Sequence, residues 1–265
     1  MNKWTSKSLK LVLKKGYLDK LFEIYPAIDK PRNLKVNNES KNLKEIYDRK
    51  NCNELIRELI RLKNAGFKFP IDNPYISFLG IHPESIDSNP KTLERICEIL
   101  FKMDYDIIKS KLESPKSASR RIGPMFRKWL KSNFDFCDKE EFEKNYNLSF
   151  LNYGDKKLKL YAEDYLKCNF IEYSKGLDFI AKIKKNYIIG TAKFITDFGG
   201  SQKNQFSEAM HLIRSTKSPQ NIIKIAVIDG VAWLRGEMKL NIESLSENEY
   251  CLSALLFNDF LSSFK

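Results

Sequence analysis

Residues 177–202 read LDFIAKIKKNYIIGTAKFITDFGGSQ and carry the clearest structural pattern in the chain. Side chains alternate at a period of two over residues 177–183, residues 184–186 are polar, and residues 187–195 are again mostly apolar. Two such runs around a short polar segment predict a β-hairpin. A glycine pair at 199–200 then breaks the second strand.

A helix and a third strand are predicted after the hairpin. Residues 222–228 form a short apolar run that ends at Asp229-Gly230, which is a turn signal. The order strand–strand–helix–strand predicts an α/β core in the C-terminal third of the chain. The helix is predicted from apolar side chains at the i, i+3, i+4, i+7 spacing of one helix face, at Phe206, Ala209, Met210 and Ile213.

The chain upstream of this core is predicted to be mostly helical. Asn51 opens an N-x-x-E helix start, in which the asparagine side chain can accept a hydrogen bond from the free amides of the first turn. Asn89 followed by Pro90 is a second helix start, because a proline fits where the amide has no partner. We therefore expect a mostly helical region at 1–165 and an α/β core at 166–265, joined in one continuous globular unit.

The charge balance of the 265 residues is strongly basic. The chain has 46 Lys and Arg against 34 Asp and Glu, which is a formal charge of +12, and 42% apolar residues, enough for a sizeable core. A basic protein of this kind favours a polyanion partner, most often nucleic acid. A composition rich in Lys, Asn and Ile can also reflect an AT-rich genome, so charge alone leaves both readings open.

Several protein classes are excluded by what the sequence lacks. No apolar stretch approaches the ~18 residues that a membrane span needs. The two histidines, His82 and His211, cannot form an H-E-x-x-H metal site. Neither G-x-x-x-x-G-K-[ST] nor G-x-G-x-x-G occurs, so both common phosphate-binding loops are absent.

The cysteines give no sign of a shared site. They include no C-x-x-C pair, which argues against a zinc ribbon or a disulfide scaffold. We expect them to be small buried apolar side chains in a reducing, cytoplasmic protein. The five positions are Cys52, Cys97, Cys137, Cys168 and Cys251.

The hairpin brings chemically useful side chains together. A pairing of residue 183 with 187 would put Asp178 opposite Ala192, beside Thr191 and Lys193. A carboxylate and a lysine at one point of a basic protein suit phosphate chemistry. A cross-strand ion pair on a solvated face would look the same in sequence.

These residues resemble the signature of a known family. Asp178 followed by Thr191-Ala192-Lys193, within the block 189–202, is similar to the D…(D/E)-x-K motif of the PD-(D/E)XK nucleases, and of type II restriction endonucleases in particular. Residues 225–234 resemble a core strand of those enzymes, and residues 117–126 resemble part of them more loosely. The likeness is strongest over about residues 170–235. It implies a mixed-sheet PD-(D/E)XK core.

The chain departs from the family pattern at two positions. Leu177 stands where the family usually has a proline, and Thr191 stands at the usual carboxylate position. One subgroup has Ser or Thr there and recovers the acid as a Glu on the next helix. That Glu lies about thirteen residues past the lysine, and Glu208, fifteen residues after Lys193, is close to this arrangement. Further candidates are Glu172, Asp197 and Thr191 itself.

The resemblance also implies a mechanism. Asp178, Glu208 and the backbone carbonyl of Ala192 would hold Mg²⁺, which takes oxygen ligands and keeps several waters. Lys193 would orient or activate the attacking water and steady the phosphate. Hydrolysis would leave a 5′-phosphate and a 3′-hydroxyl.

Two segments are candidates for DNA contacts. Residues 115–134 contain basic side chains and no acid, and the segment after the glycine pair is polar. A solvated helix face and a helix-capping loop explain the two segments equally well. The candidate DNA-contacting residues are Arg120, Arg121, Arg127, Lys128, Ser201, Gln202, Lys203, Asn204 and Gln205.

The sequence thus predicts a type II restriction endonuclease that cuts double-stranded DNA at a specific site with Mg²⁺. Such enzymes usually act as homodimers, since a two-fold axis puts one active site on each strand, and a cognate DNA methyltransferase is the expected genetic partner. Two alternatives stay open. One is a structure- or damage-directed repair or recombination nuclease, and the other is a non-catalytic DNA-binding regulator.

Overall fold

The computed structural model describes residues 1–26, 35–114 and 118–264, and over 118–123 it describes the backbone alone. The chain forms two compact units, Ile28–Ser117 and a second unit that combines Met1–Ala27 with Ala118–Lys265. Each unit has its own apolar core. Nowhere in the described ranges is a helix both long and apolar enough to cross a membrane.

The helices of the described residues are labelled in chain order. They are α1 (Lys3–Leu11), α2 (Tyr17–Ile24), α3 (Val36–Glu39), α4 (Leu43–Asp48), α5 (Cys52–Asn64), α6 (Tyr75–Ile81), α7 (Ser85–Ser88), α8 (Pro90–Phe101), α9 (Tyr105–Glu113), α10 (Ala118–Asn133), α11 (Lys139–Lys144), α12 (Asp155–Asp164), α13 (Gly200–Ser215), α14 (Gly236–Glu243) and α15 (Phe257–Ser262). Two short 3₁₀ turns lie at Val231–Trp233 and Ala254–Leu256.

The strands lie in one unit. Their bounds are β1 (Phe136–Cys137), β2 (Ser149–Leu151), β3 (Asn169–Phe170), β4 (Phe179–Ile183), β5 (Asn186–Ile195), β6 (Thr216–Lys217), β7 (Ile222–Gly230) and β8 (Tyr250–Leu252).

The unit Ile28–Ser117 is helical, and both predicted helix starts are correct. The side chain of Asn51 accepts a hydrogen bond from the amide of Glu54 at 3.2 Å and begins α5. Pro90 is the first residue of α8. The expectation that all five cysteines are unpaired is wrong, because packing of α5 on α8 brings the Cα atoms of Cys52 and Cys97 to 5.8 Å and the two form a disulfide. A separation of 45 residues hides this contact from the sequence pattern.

The other unit is built on a six-stranded mixed sheet in the order β1-β2-β4-β5-β7-β8. β5 lies at its centre, antiparallel to β4 and parallel to β7, and β3 pairs with β6 in a separate small sheet. Neither β5 nor β7 has an exposed residue, and α13 packs against both strands. The predicted α/β class, the helical N-terminal part and the strand–strand–helix–strand order are confirmed.

The register of the hairpin differs by one residue from the prediction. Ile183 pairs with Asn186, not with Tyr187, so the turn holds two residues. Lys184 makes this tight turn by adopting a φ of 53°. Phe179 pairs with Gly190, and the amide of Asp178 donates to the Gly190 carbonyl at 2.9 Å. The shift moves Asp178 from Ala192 towards Thr191.

Candidate active site

Asp178 lies just before β4, beside the C-terminal half of the neighbouring strand β5. Its Oδ2 atom accepts hydrogen bonds from the Thr191 hydroxyl at 2.6 Å and the Ala192 amide at 2.7 Å. The ammonium of Lys193 lies 3.5 Å from the same oxygen. The side chains of Asp178 and Lys193 are 30% and 23% exposed, so solvent and substrate can reach both. Three predicted residues therefore meet at one carboxylate oxygen.

Thr191 acts on this carboxylate as a donor. Its side chain is buried, and its hydroxyl hydrogen points to Asp178. Thr191 thus fixes the orientation of the Asp178 carboxylate. A charge-assisted hydrogen bond of this length is among the stronger ones in proteins. Among the described residues, Oδ1 of Asp178 accepts no hydrogen bond.

Tyr173 links this cluster to helix α13. The side chain is buried, and its hydroxyl donates to the Gly176 carbonyl at 3.0 Å. Burial raises the pKa of this hydroxyl well above its usual value, and the negative charges of Asp178 and Glu208 raise it further. Tyr173 and Glu208 line one cavity.

Glu208 lies on α13 with a side chain that is one-third exposed. Its Oε1 atom is 3.6 Å from the ammonium of Lys175. The carboxylate opens onto a polar cavity of about 340 Å³ beside the loop that precedes β4. The cavity is lined by Glu172, Tyr173, Ser174, Lys175, Asn204, Ser207, Glu208 and His211.

The two weaker acid candidates have different surroundings. Glu172 lines the cavity with Glu208 and has a φ of 53°, which non-glycine residues rarely adopt. Asp197 accepts hydrogen bonds from the Gly199 amide at 2.7 Å and the Thr196 hydroxyl at 3.2 Å. These local bonds shape the turn that leads into α13.

The predicted DNA-contacting residues fall into three groups. The side chains of Arg120 and Arg121 lie outside the described residues. Arg127 pairs with Asp155 at 2.6 Å and donates to the Tyr153 carbonyl, so its guanidinium is already bound within the protein. Lys128 is exposed.

The polar residues after the glycine pair occupy the first turns of α13. Gln202 is buried, and its Oε1 atom accepts from the Thr196 amide at 3.2 Å, which makes it a capping side chain. Lys203 pairs with Glu237 at 3.3 Å. Ser201 and Asn204 are exposed, and Gln205 is half-buried.

One buried acid was missed by the sequence reasoning. Asp229 in β7 is fully buried and accepts hydrogen bonds from the hydroxyls of Tyr17 at 2.9 Å, Tyr25 at 3.1 Å and Ser253 at 2.6 Å, and from the Ala254 amide at 3.1 Å. Burial raises the pKa of its carboxyl to about 6, although these hydrogen bonds oppose the shift. The only signal in the sequence is a lone acid at the end of an apolar run.

Asp229 lies on the strand next to the one that carries Lys193. It pairs with Phe194 of β5, the residue after Lys193. The ring of Tyr25 packs edge-on against Phe194 with centroids 5.1 Å apart. The network thus supports the strand that carries the lysine.

The donor set agrees with a hard divalent cation. Within residues 1–26, 35–114 and 118–264, no group of three or more His, Cys, Asp or Glu side chains is suited to hold a metal. Mg²⁺ needs fewer, because it keeps several waters and binds through one or two carboxylates plus substrate phosphate. Asp178 and Glu208 each accept a lysine ammonium and are partly open to solvent, so each already attracts a cation.

The comparisons with known proteins identify one family. The model of the Tsp45I type II restriction enzyme family matches residues 2–264. Searches of curated proteins and of solved structures give no match. Because the family model spans nearly the whole sequence, the chain belongs to the Tsp45I type II restriction enzyme family.

Proposed function

We propose that this restriction enzyme hydrolyses double-stranded DNA at a specific sequence with Mg²⁺, through Asp178, Glu208 and Lys193. The observation that carries the proposal is the meeting of Thr191, the Ala192 amide and Lys193 at one oxygen of Asp178. This is the geometry expected for a PD-(D/E)XK core in which a threonine replaces the second acid and a glutamate on the next helix supplies it. Residues 166–265 would form the catalytic part.

Each residue has a separate role. Asp178 and Glu208, with the Ala192 carbonyl, would hold Mg²⁺, which when bound offsets the charge of the phosphodiester and lowers the pKa of water. Lys193 would steady the scissile phosphate and orient the attacking water. Thr191 and the Ala192 amide keep the Asp178 carboxylate in one orientation. The products would be a 5′-phosphate and a 3′-hydroxyl.

DNA binding is supported by the net charge of +12 and by exposed residues beside the site. Lys128 and Ser201 can reach phosphates, and Asn204 and Gln205 carry amides suited to base edges or phosphates. Arg120 and Arg121 remain proposed base or phosphate contacts. We propose a homodimer with one active site for each strand, and a DNA methyltransferase that protects the same sequence.

The test is incubation of the purified protein with long unmethylated duplex DNA of varied sequence, in Mg²⁺ and in EDTA. We expect discrete fragments in Mg²⁺ alone, and end mapping should find 5′-phosphates at one repeated sequence. A smear would favour a structure- or damage-directed nuclease. DNA that stays intact across all substrates would overturn the proposal in favour of a DNA-binding regulator.

A further inference from the structure

Lys175 forms an ion pair with Glu208, the proposed metal ligand on α13. Its ammonium is 3.6 Å from Glu208 Oε1, and it lies in the segment between β3 and β4. The side chain is 59% exposed, whereas Lys193 at the other carboxylate is 23% exposed. Each of the two carboxylates thus has one lysine ammonium nearby, and Lys193 is more buried than Lys175.

The segment that carries Lys175 is attached to the core on both sides. His211 of α13 contacts the Ile171 carbonyl at 2.6 Å, and Tyr173 donates to Gly176 at 3.0 Å. The Leu177 amide donates to the Asp155 carbonyl at 3.1 Å. The backbone is therefore held while the long side chain of Lys175 stays free to reorient.

The ion pair itself is easily broken. An exposed pair of this kind contributes little to stability, because water screens it and side-chain entropy opposes it. A divalent cation that binds the same oxygen can displace the ammonium at small cost. The displaced ammonium stays at the polar cavity of about 340 Å³ that Glu208 also lines.

We propose that Lys175 is an exchangeable counterion of Glu208. It neutralises Glu208 in the metal-free protein, and it moves to a phosphate of the bound DNA when a divalent cation takes the carboxylate. The inference rests on the proposed function for the identity of Glu208 as a metal ligand. It predicts opposite effects of removing the ammonium on metal binding and on cleavage.

The test measures Mn²⁺ binding to the full chain without DNA, from the electron paramagnetic resonance signal of free Mn²⁺. Lys175→Met should bind Mn²⁺ about twofold to fivefold more tightly than the wild type, because the metal no longer competes with the ammonium. Lys175→Arg should restore the wild-type affinity. The control is Lys239→Met, which removes a half-buried lysine paired with a glutamate at 3.7 Å and should change nothing.

The second readout is DNA cleavage at saturating metal. Lys175→Met should cleave about tenfold more slowly, since one charge-assisted phosphate contact is lost. Unchanged or weaker Mn²⁺ binding by Lys175→Met would overturn the inference even if the wild type cuts DNA. Tighter binding in a protein that cuts no DNA would overturn the proposed function and leave the counterion role standing. Absence of Mn²⁺ binding in both proteins would overturn the counterion role together with the metal assignment.

Discussion

Two aspartates flank the central strand β5 from opposite sides, and they differ in almost everything but residue type. Asp178 precedes β4, is 30% exposed and has a lysine ammonium at 3.5 Å. Asp229 lies in β7, is fully buried and is held by three hydroxyls and an amide. A carboxylate with a free oxygen and a nearby cation can bind a metal and a phosphate. A carboxylate surrounded by neutral donors can only hold the fold together.

Substitution of Asp178, the partly exposed aspartate, should have the largest effect. Asp178→Asn removes the negative charge that the metal needs, while the amide still fits beside Thr191. We expect cleavage to fall about 10³-fold or more, since a bound metal supplies several kcal/mol of transition-state stabilisation. DNA binding and the melting temperature should stay close to the wild type. Cleavage rates and a binding assay check this, with Asp164→Asn on exposed α12 as the control. Full activity of Asp178→Asn would refute the assignment.

Substitution of Asp229, the buried aspartate, should mainly lower stability. Asp229→Ala leaves the hydroxyls of Tyr17, Tyr25 and Ser253 without their common acceptor. We expect a loss of about 3 kcal/mol in the free energy of unfolding, because unpaired buried donors are costly. Chemical denaturation measures it. Tyr25→Phe should cost about 1 kcal/mol, and equal stability of Asp229→Ala and wild type would show that the network contributes nothing.

The same carboxyl should give stability a pH dependence. Its pKa is about 6 in the folded protein, whereas the ordinary value of 3.8 applies to the unfolded chain. Between these two pH values the folded chain therefore binds the proton more strongly than the unfolded chain does. Its contribution is fully present below about pH 4 and is lost as the pH rises through 6, by about 1–3 kcal/mol in total. The check is the stability difference between wild type and Asp229→Asn from pH 4 to 7.5. A difference that stays constant over this range would contradict the raised pKa.

The smallest expected effect concerns the hydrogen bond from Thr191 to Asp178. Thr191→Val removes a donor 2.6 Å from Asp178 and keeps the shape of the buried side chain. We expect cleavage to fall about tenfold, which corresponds to ~1.4 kcal/mol, in the range of a charge-assisted hydrogen bond. Thr191→Ser should retain most activity. Single-turnover rates at saturating metal test this. Equal rates for the Val and Ser variants would show that the Thr191 hydroxyl does not contribute to cleavage.

The sequence predicted those parts of the fold whose signal is local. The hairpin, α13 and β7 were found because their apolar periods run over five or more residues. Strands β1, β2 and β8 contribute two or three residues each to the sheet, which is too few for a period. The register was missed by one because the conformation of Lys184 decides the turn length, and the Cys52–Cys97 pair depends on helix packing.

The residues of the candidate site also differ in whether a local sequence pattern could predict them. Asp178, Thr191 and Lys193 could be placed together because one hairpin carries all three. Lys175 and Tyr173 lie between strands, where no periodic pattern marks them. The partners of Asp229 are even less visible, since Tyr17 lies 212 residues away in the chain.

The separation between Tyr17 and Asp229 sets an order on the synthesis of the protein. The two tyrosines emerge from the ribosome before their acceptor, and Ser253 and Ala254 emerge after it. A nascent chain that ends before residue 253 lacks part of the set that holds the strand next to β5. The support of that strand is therefore complete only after residue 254 has been added.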